Sequence, residues 1–194
     1  SWWNLFEDCC WDRPPYCFDF SAAKRQCRIL LIDDDANALP IEDIQRAEYN
    51  ILQHKIVTAD LLARCEANAF DIIILDYNGI APVSITPDDG FGVFERIRQA
   101  NPQQYIISIS AQTYDISKTA YFNKANDWLK KPTDLTTSKD KIDAGIKYLF
   151  DKTLVVARLR DQLVAEGFGH RSADKIVKMV AKNNFQDMDE LIDS

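Results

Sequence analysis

The sequence predicts an α/β protein built on a doubly wound, five-stranded parallel sheet with helices on both faces. Two observations predict this class. Between residues 28 and 150, short apolar runs alternate with segments whose apolar residues recur at helical spacing. Chemically distinctive polar residues follow four of the predicted strands. Ligands of open parallel sheets bind beyond the carboxyl ends of the strands, so this placement predicts a site at that edge.

The first half of this region predicts two strands and two helices. Residues 29–33 form a short apolar run that is typical of a buried parallel strand. Apolar residues at helical spacing then predict a helix over 41–52, and Pro40 suits its first turn. Residues 55–58 are predicted to supply a short second strand, and Asp60 is placed to cap the helix that follows.

The second half completes five strand–helix units. Apolar spacing predicts helices around 91–97 and from Ile142 onwards, with a weaker one over 114–125. Five such units imply the flavodoxin-like strand order 2-1-3-4-5. The remaining strands are predicted at 71–75, 105–109 and 127–130.

The last helix is predicted to extend beyond the α/β domain. Residues 138–166 contain no proline and a single glycine, which favours one long protruding helix that ends at Gly167 and Gly169. Further helical segments are predicted near 172–182 and 187–192. We interpret residues 151–194 as a helical extension that packs on the domain or on a second copy. A compact interaction domain is the next interpretation, and its balanced charge disfavours a DNA-binding helix pair.

The first 27 residues differ from the rest by their many aromatic side chains. We expect this segment to fold back over the core, since exposed aromatic patches are unfavourable in water. A docking surface for a partner or a second subunit is the alternative. The segment holds four of the five cysteines, without paired C-x-x-C spacing or a nearby histidine, so packing is favoured over a zinc or iron–sulfur site. The cysteines are Cys9, Cys10, Cys17, Cys27 and Cys65.

Composition limits the kinds of partner and the compartment. The net charge of −7 disfavours general binding to nucleic acid, because phosphate contacts dominate that affinity. No apolar run approaches the roughly 20 residues of a membrane-spanning helix. An odd number of cysteines without an export signal favours reduced thiols, so we expect a cytoplasmic protein without a membrane partner.

The polar residues at the predicted strand ends have complementary chemistry. Carboxylates are the hard oxygen ligands that a divalent cation prefers, and a hydroxyl and an ammonium can contact a phosphoryl group. We therefore predict a compact site for a cation and a phosphoryl group. The residues are Asp33-Asp34-Asp35 after the first strand, Asp76 after the third, Ser110 after the fourth, and Lys131-Pro132 after the fifth.

This order of residues resembles the receiver domain of bacterial two-component response regulators, over residues 28–150. The resemblance implies that Asp76 is the phosphoacceptor and that Mg²⁺ is the cofactor. It also implies that Asp34, Asp76 and the backbone carbonyl of Asn78 bind the metal directly, and that Asp33 acts through water.

The resemblance also assigns roles after phosphorylation. Lys131 would pair with the phosphoryl group, aimed inward by a cis bond to Pro132. Ser110 would move to hydrogen-bond a phosphoryl oxygen, and Trp128 would be the aromatic switch residue that follows this movement.

The resemblance implies a signalling switch rather than a true enzyme. Its partners would be a histidine kinase or phosphotransfer protein and a downstream protein, with homodimerisation through the C-terminal helix as a further expectation. One departure is the long loop 77–90, since receivers usually reach an Asp-Gly pair soon after the acceptor. A small hydrolase of the haloacid dehalogenase type, which would use the run of aspartates at 33–35, and a degenerate receiver acting as a scaffold are the alternatives.

Overall fold

The computed structural model describes residues 18–111 and 123–181 of the 194-residue chain. Its centre is a five-stranded, all-parallel sheet with strand order β2-β1-β3-β4-β5. The strands are β1 (Arg28–Ile32), β2 (Asn50–His54), β3 (Ile72–Asp76), β4 (Tyr105–Ser110) and β5 (Asp127–Lys130). The helices are α1 (Phe20–Gln26), α2 (Ile41–Arg46), α3 (Ala59–Glu66), α4 (Asp89–Ala100), α5 (Leu135–Phe150), α6 (Lys152–Ala165) and α7 (His170–Ala181).

Helices cover both faces of the sheet, which confirms the predicted doubly wound fold. Strands β3 and β4 are buried along their whole length and β1 along all but its first residue, as near-continuous apolar runs require. On one face, apolar residues of α1, α2 and α5 pack against the sheet. On the other face, α3 and α4 form a second apolar cluster with the sheet. The carboxyl ends of all five strands meet at one edge.

The prediction for the second strand is wrong. The first helix of this region stops at Arg46, and Glu48 adopts a left-handed backbone with φ of 68°. The chain therefore turns early, and residues predicted to be helical form β2 at Asn50–His54 instead of 55–58. Ile51 pairs with Ile29 of β1 and is buried, so its apolar side chain serves the sheet.

The cap of the next helix also differs from the prediction. The Thr58 hydroxyl accepts the backbone N–H of Leu61, so Thr58 caps α3, and Asp60 lies in its first turn. Both residues are good N-cap types, and Thr58 is the one with the extended backbone that an N-cap residue adopts.

The expectation of one long C-terminal helix is wrong as well. Asp151 adopts an extended backbone with ψ of 106° between α5 and α6. Its N–H still bonds to the Lys147 carbonyl, while its carboxylate accepts the N–H of Thr153. Asp151 thus ends one helix and caps the next. The predicted helix at 187–192 lies outside the described residues. So does the predicted helix at 114–125, except for its last three residues.

Two extensions flank the α/β domain. At the N-terminal side, Asp19 caps α1, and Phe18 and Phe20 pack against the cluster under α1, α2 and α5. Residues 1–17 lie outside the described residues. At the C-terminal side, α6 and α7 pack on each other, joined by an ion pair of 2.7 Å between Arg160 and Asp174.

Within residues 18–111 and 123–181, each helix is too short or too polar to cross a membrane.

Candidate functional site

The carboxyl edge of the sheet gathers the polar residues that the sequence singled out. Each element delivers its residue at the strand end, because parallel strands in register finish at one level. Asp33 directly follows β1, Asp76 ends β3, Ser110 ends β4 and Lys131 directly follows β5. Strands β1 and β3 are neighbours, which brings Asp33 beside Asp76.

The Lys131 ammonium joins the two central carboxylates. Its Nζ donates to both oxygens of Asp33, each at 2.9 Å, and to Oδ2 of Asp76 at 2.6 Å. The three side chains are 9%, 0% and 4% exposed for Lys131, Asp33 and Asp76. Ion pairs this deep persist only when their remaining hydrogen-bonding atoms are satisfied. The other oxygen of Asp76 accepts the N–H of Tyr77 at 2.7 Å, which meets that condition.

Burial and pairing act on the protonation of these groups in opposite directions. Burial raises the pKa of Asp33 above its usual value, although Lys131 and the N–H of Asp35 partly offset it. Burial by itself would lower the pKa of Lys131, but its hydrogen bonds to Asp76 and Asp33 outweigh that effect and raise it. Lys131 is therefore a permanent cation at neutral pH.

Three carboxylates at this edge could hold a metal ion. Asp33, Asp34 and Asp76 each offer an oxygen, and these atoms lie within 4.8 Å of one another. Asp34 is exposed, whereas the other two are buried, so the cluster opens to solvent on one side. One ammonium cannot balance three carboxylates, and crowded like charges are unfavourable without a further cation. Hard oxygen ligands with excess negative charge fit a divalent cation such as Mg²⁺.

The start of loop 77–90 lies against Asp34 despite the unusual length of the loop. Gly79 has a left-handed backbone with φ of 76°, and a Cβ added there would lie 3.4 Å from Oδ2 of Asp34. Asn78, the predicted carbonyl ligand, immediately precedes Gly79 in this loop. Most of the later residues 82–88 are exposed to solvent, and Val83 is 81% exposed.

Gly90 closes the loop against Asp76, the candidate acceptor. Its N–H bonds to the Tyr77 carbonyl at 3.3 Å, and an added Cβ would collide with the carbonyl oxygen of Asp76. Only glycine fits this close approach to the backbone, so Gly90 holds the beginning of α4 directly against the candidate acceptor.

Tyr77 belongs to this region although the sequence pattern did not predict it. Tyr77 is buried, its hydroxyl is 2.6 Å from Oγ of Ser108, and its ring stacks on Phe91 at 4.6 Å between centroids. The hydroxyl bond ties the end of β3 to β4 two residues before Ser110. A serine inside an otherwise apolar strand was the available signal, since a buried hydroxyl requires a partner.

Two further predicted residues lie on β4 and β5. Ser110 is buried at the end of β4, and its carbonyl accepts the N–H of Lys131 at 3.0 Å. Trp128 is 56% exposed on β5, with the Lys141 ammonium 6.0 Å from its ring centroid. The peptide bond between Lys131 and Pro132 is cis.

Comparison with known proteins gives a fold but no close relative. No family model matches the sequence, and no curated protein matches it. Solved structures do match. A signal receiver domain from Vibrio parahaemolyticus is 21% identical with a TM-score of 0.52, covering 66% of this chain and 96% of that chain.

A second solved structure gives the same result. A CheY-like response regulator receiver domain protein from Methanospirillum hungatei is 18% identical with a TM-score of 0.50, covering 63% of this chain and 95% of that chain. The chain therefore has the receiver-domain fold, as the sequence predicted. At these identities the likeness concerns the fold.

Proposed function

We propose that this protein is a phosphorylatable receiver whose acceptor is Asp76. The observation that carries the proposal is the buried Lys131 ammonium, which bonds to Asp76 and Asp33 at the edge of the sheet. This arrangement supplies a carboxylate nucleophile beside a fixed positive charge. The receiver-domain fold supports the same proposal from an independent direction.

The reaction is a phosphoryl transfer between a donor and a carboxylate. A carboxylate oxygen of Asp76 attacks phosphorus, the bond between phosphorus and the donor nitrogen or oxygen breaks, and the leaving group keeps the electron pair. With a histidine kinase or phosphotransfer protein, the donor is a phosphohistidine and the leaving group is its imidazole. Lys131 offsets the negative charge that the incoming phosphoryl group brings to a carboxylate. It acts as a point charge whose flexible stem can follow the group.

The metal ligands proposed are Asp34, Asp76 and the backbone carbonyl of Asn78, with Asp33 acting through water. A bound Mg²⁺ would neutralise phosphoryl oxygens during transfer. Asp33 already accepts two bonds from Lys131 and one from Asp35, so its oxygens are occupied in holding the ammonium in place. Asp34 is the exposed member of the cluster, so its carboxylate faces the side from which a hydrated cation would enter.

The proposed output is a change in a protein-binding surface. Ser110 would contact a phosphoryl oxygen, and Trp128 would move inward from its exposed position on β5. The downstream partner would be a protein, and α6 and α7 offer a surface for it or for a second copy. We regard the protein as a cytoplasmic signalling switch rather than a turnover enzyme.

The test is intact-mass measurement after treatment with acetyl phosphate and MgCl₂. We expect one added phosphoryl group on the wild type and none on Asp76→Asn, which keeps the shape but removes the nucleophile. Asp60→Asn, at an exposed aspartate in the first turn of α3, is the matched control and should label like the wild type.

Two results would contradict the proposal. Equal labelling of Asp76→Asn would show that the acceptor lies elsewhere. Steady release of phosphate over many turnovers, which Asp33→Asn abolishes and Asp76→Asn does not, would instead favour the hydrolase.

A further inference from the structure

Asp89 makes an unusual set of hydrogen bonds within loop 77–90. Its carboxylate accepts the backbone N–H groups of three consecutive residues: Gly79, Ile80 at 3.0 Å and Ala81 at 2.7 Å. Bonds from N–H groups to a charged carboxylate are about twice as strong as those between neutral groups. One side chain therefore holds a backbone segment of three residues that lies eight to ten positions earlier in the chain.

The backbone of Asp89 adopts a left-handed conformation. Its φ is 51°, in the left-handed region that residues other than glycine rarely adopt. Such strain persists only where surrounding contacts enforce it. The next residue, Gly90, is pressed against the backbone of Asp76 and Tyr77, so the position of Asp89 relative to the acceptor is fixed.

The segment that Asp89 holds is the one beside the acidic cluster. Gly79 lies against the exposed carboxylate of Asp34, since a Cβ added to Gly79 would be only 3.4 Å from Oδ2. The Ile80 carbonyl also accepts the N–H of Val57 at 2.7 Å, which gives the segment a second anchor. We call the hydrogen bonds from residues 79–81 to the Asp89 carboxylate the clamp. The extra length of the loop lies in residues 82–88, outside the clamp, so it does not displace residues 79–81 from the acidic cluster.

We propose that Asp89 is a positioning residue for the cation site. Through the amides of residues 79–81 it fixes the backbone around Asn78 and Gly79 beside Asp34, and thereby sets the affinity of the cluster for a divalent cation. The inference rests on the proposed function only for the identity of the ligand. The clamp itself exists without the cation.

The experiment compares Asp89→Ala and Asp89→Asn with the neighbouring control Asp88→Asn. Asp88 is exposed and its side chain caps no N–H of α4, so this control changes a charge without touching the clamp. Amide hydrogen exchange of residues 79–81, measured without divalent cation, reports the clamp. Mg²⁺ titration by calorimetry on the full chain reports the cation site, with Asp34→Ala as the variant that lacks a proposed ligand.

We expect exchange at residues 79–81 to be at least about tenfold faster in Asp89→Ala, since three hydrogen bonds are lost. The Mg²⁺ dissociation constant should rise by about tenfold, while Asp88→Asn matches the wild type in both measurements. For Asp89→Asn, the exchange rate and the Mg²⁺ dissociation constant should lie between those of the wild type and of Asp89→Ala, because an amide oxygen can still accept but carries no charge. Asp89→Asn also provides the comparison if Asp89→Ala does not fold.

The outcomes separate this inference from the proposed function. Unchanged exchange in both Asp89 variants would overturn the clamp, and faster exchange with unchanged Mg²⁺ affinity would overturn its link to the cation. If the wild type binds no Mg²⁺, the proposed cation site fails and this inference fails with it. Mg²⁺ binding by the wild type that is lost in Asp34→Ala but unaffected at Asp89 overturns this inference alone.

Discussion

The carboxyl edge of the sheet and the C-terminal helices α6 and α7 are stabilised in different ways. At the edge, buried charges are joined by short bonds between rigid strand ends. In the extension, the ion pair between Arg160 and Asp174 is more exposed, and Leu154 and Phe168 leave much of their apolar surface in solvent. The edge therefore depends on a few buried charges, whereas the extension depends on apolar packing between α6 and α7 and on a partly exposed ion pair.

The largest effect that tests this contrast is expected from Lys131→Met. Methionine has a side chain of similar length to lysine, but it leaves two buried carboxylates without their cation. We expect the free energy of unfolding in urea, measured without divalent cation, to fall by about 3 kcal/mol. Lys141→Met is the control, because the Lys141 pair with Asp127 is partly exposed and should cost about 0.5 kcal/mol. Equal losses in the two variants would contradict the special role of the buried ammonium.

A smaller loss of stability is expected when a glycine of the α/β domain is replaced by alanine, and a glycine of the extension provides the comparison. In α5, a Cβ at Gly145 would approach the Tyr105 ring to 2.8 Å and the Ile72 methyl to 2.9 Å. Gly145→Ala should therefore lower the free energy of unfolding by about 1–2 kcal/mol, because the added methyl group overpacks this contact. The melting temperature should fall accordingly, even though alanine favours helices. Gly169→Ala has open space around it and should change stability by less than about 0.5 kcal/mol. A stabilised Gly145→Ala would show that the helix–sheet contact is looser than these distances imply.

The smallest effect on the site is expected from removing the extension. A chain that ends after Lys152 keeps the sheet, α5 and every residue of the acidic cluster. Acetyl phosphate labelling of Asp76 should be unchanged in extent, and light scattering should report a monomer. If the full chain is a dimer, this loss of mass assigns the seam to α6 and α7. Loss of labelling in a folded truncation would mean that the extension supports the site directly.

Much of the fold and the composition of the site could be predicted from the sequence. Buried parallel strands read as apolar runs, and the polar residues that follow them, such as Asp33 and Asp76, must meet at one edge. These features depend on periodicity and topology, which a single sequence expresses. The placement of Lys131 beside both carboxylates was implied instead by the resemblance to receiver domains, because β4 separates β5 from β3 in the sheet.

The remaining features depend on local backbone conformation, which periodicity does not express. The left-handed residue Glu48 ends a helix early and moves β2, and nothing in the apolar spacing of 41–52 signals it. Asp151 breaks a helix without glycine or proline. The contacts of Asp89 with residues 79–81 need a strained φ that sequence patterns do not reveal.

The one-residue junction at Asp151 has a consequence for anything that binds the extension. The Arg158 guanidinium of α6 lies 3.7 Å from the Tyr148 ring centroid and donates to the Tyr148 carbonyl. The Tyr148 ring in turn packs on Tyr105 of β4, with 5.2 Å between the ring centroids. A partner carried by α6 and α7 would therefore be presented to the rest of the molecule in one orientation. A flexible linker would raise only the partner's local concentration, whereas this junction also selects its angle of approach.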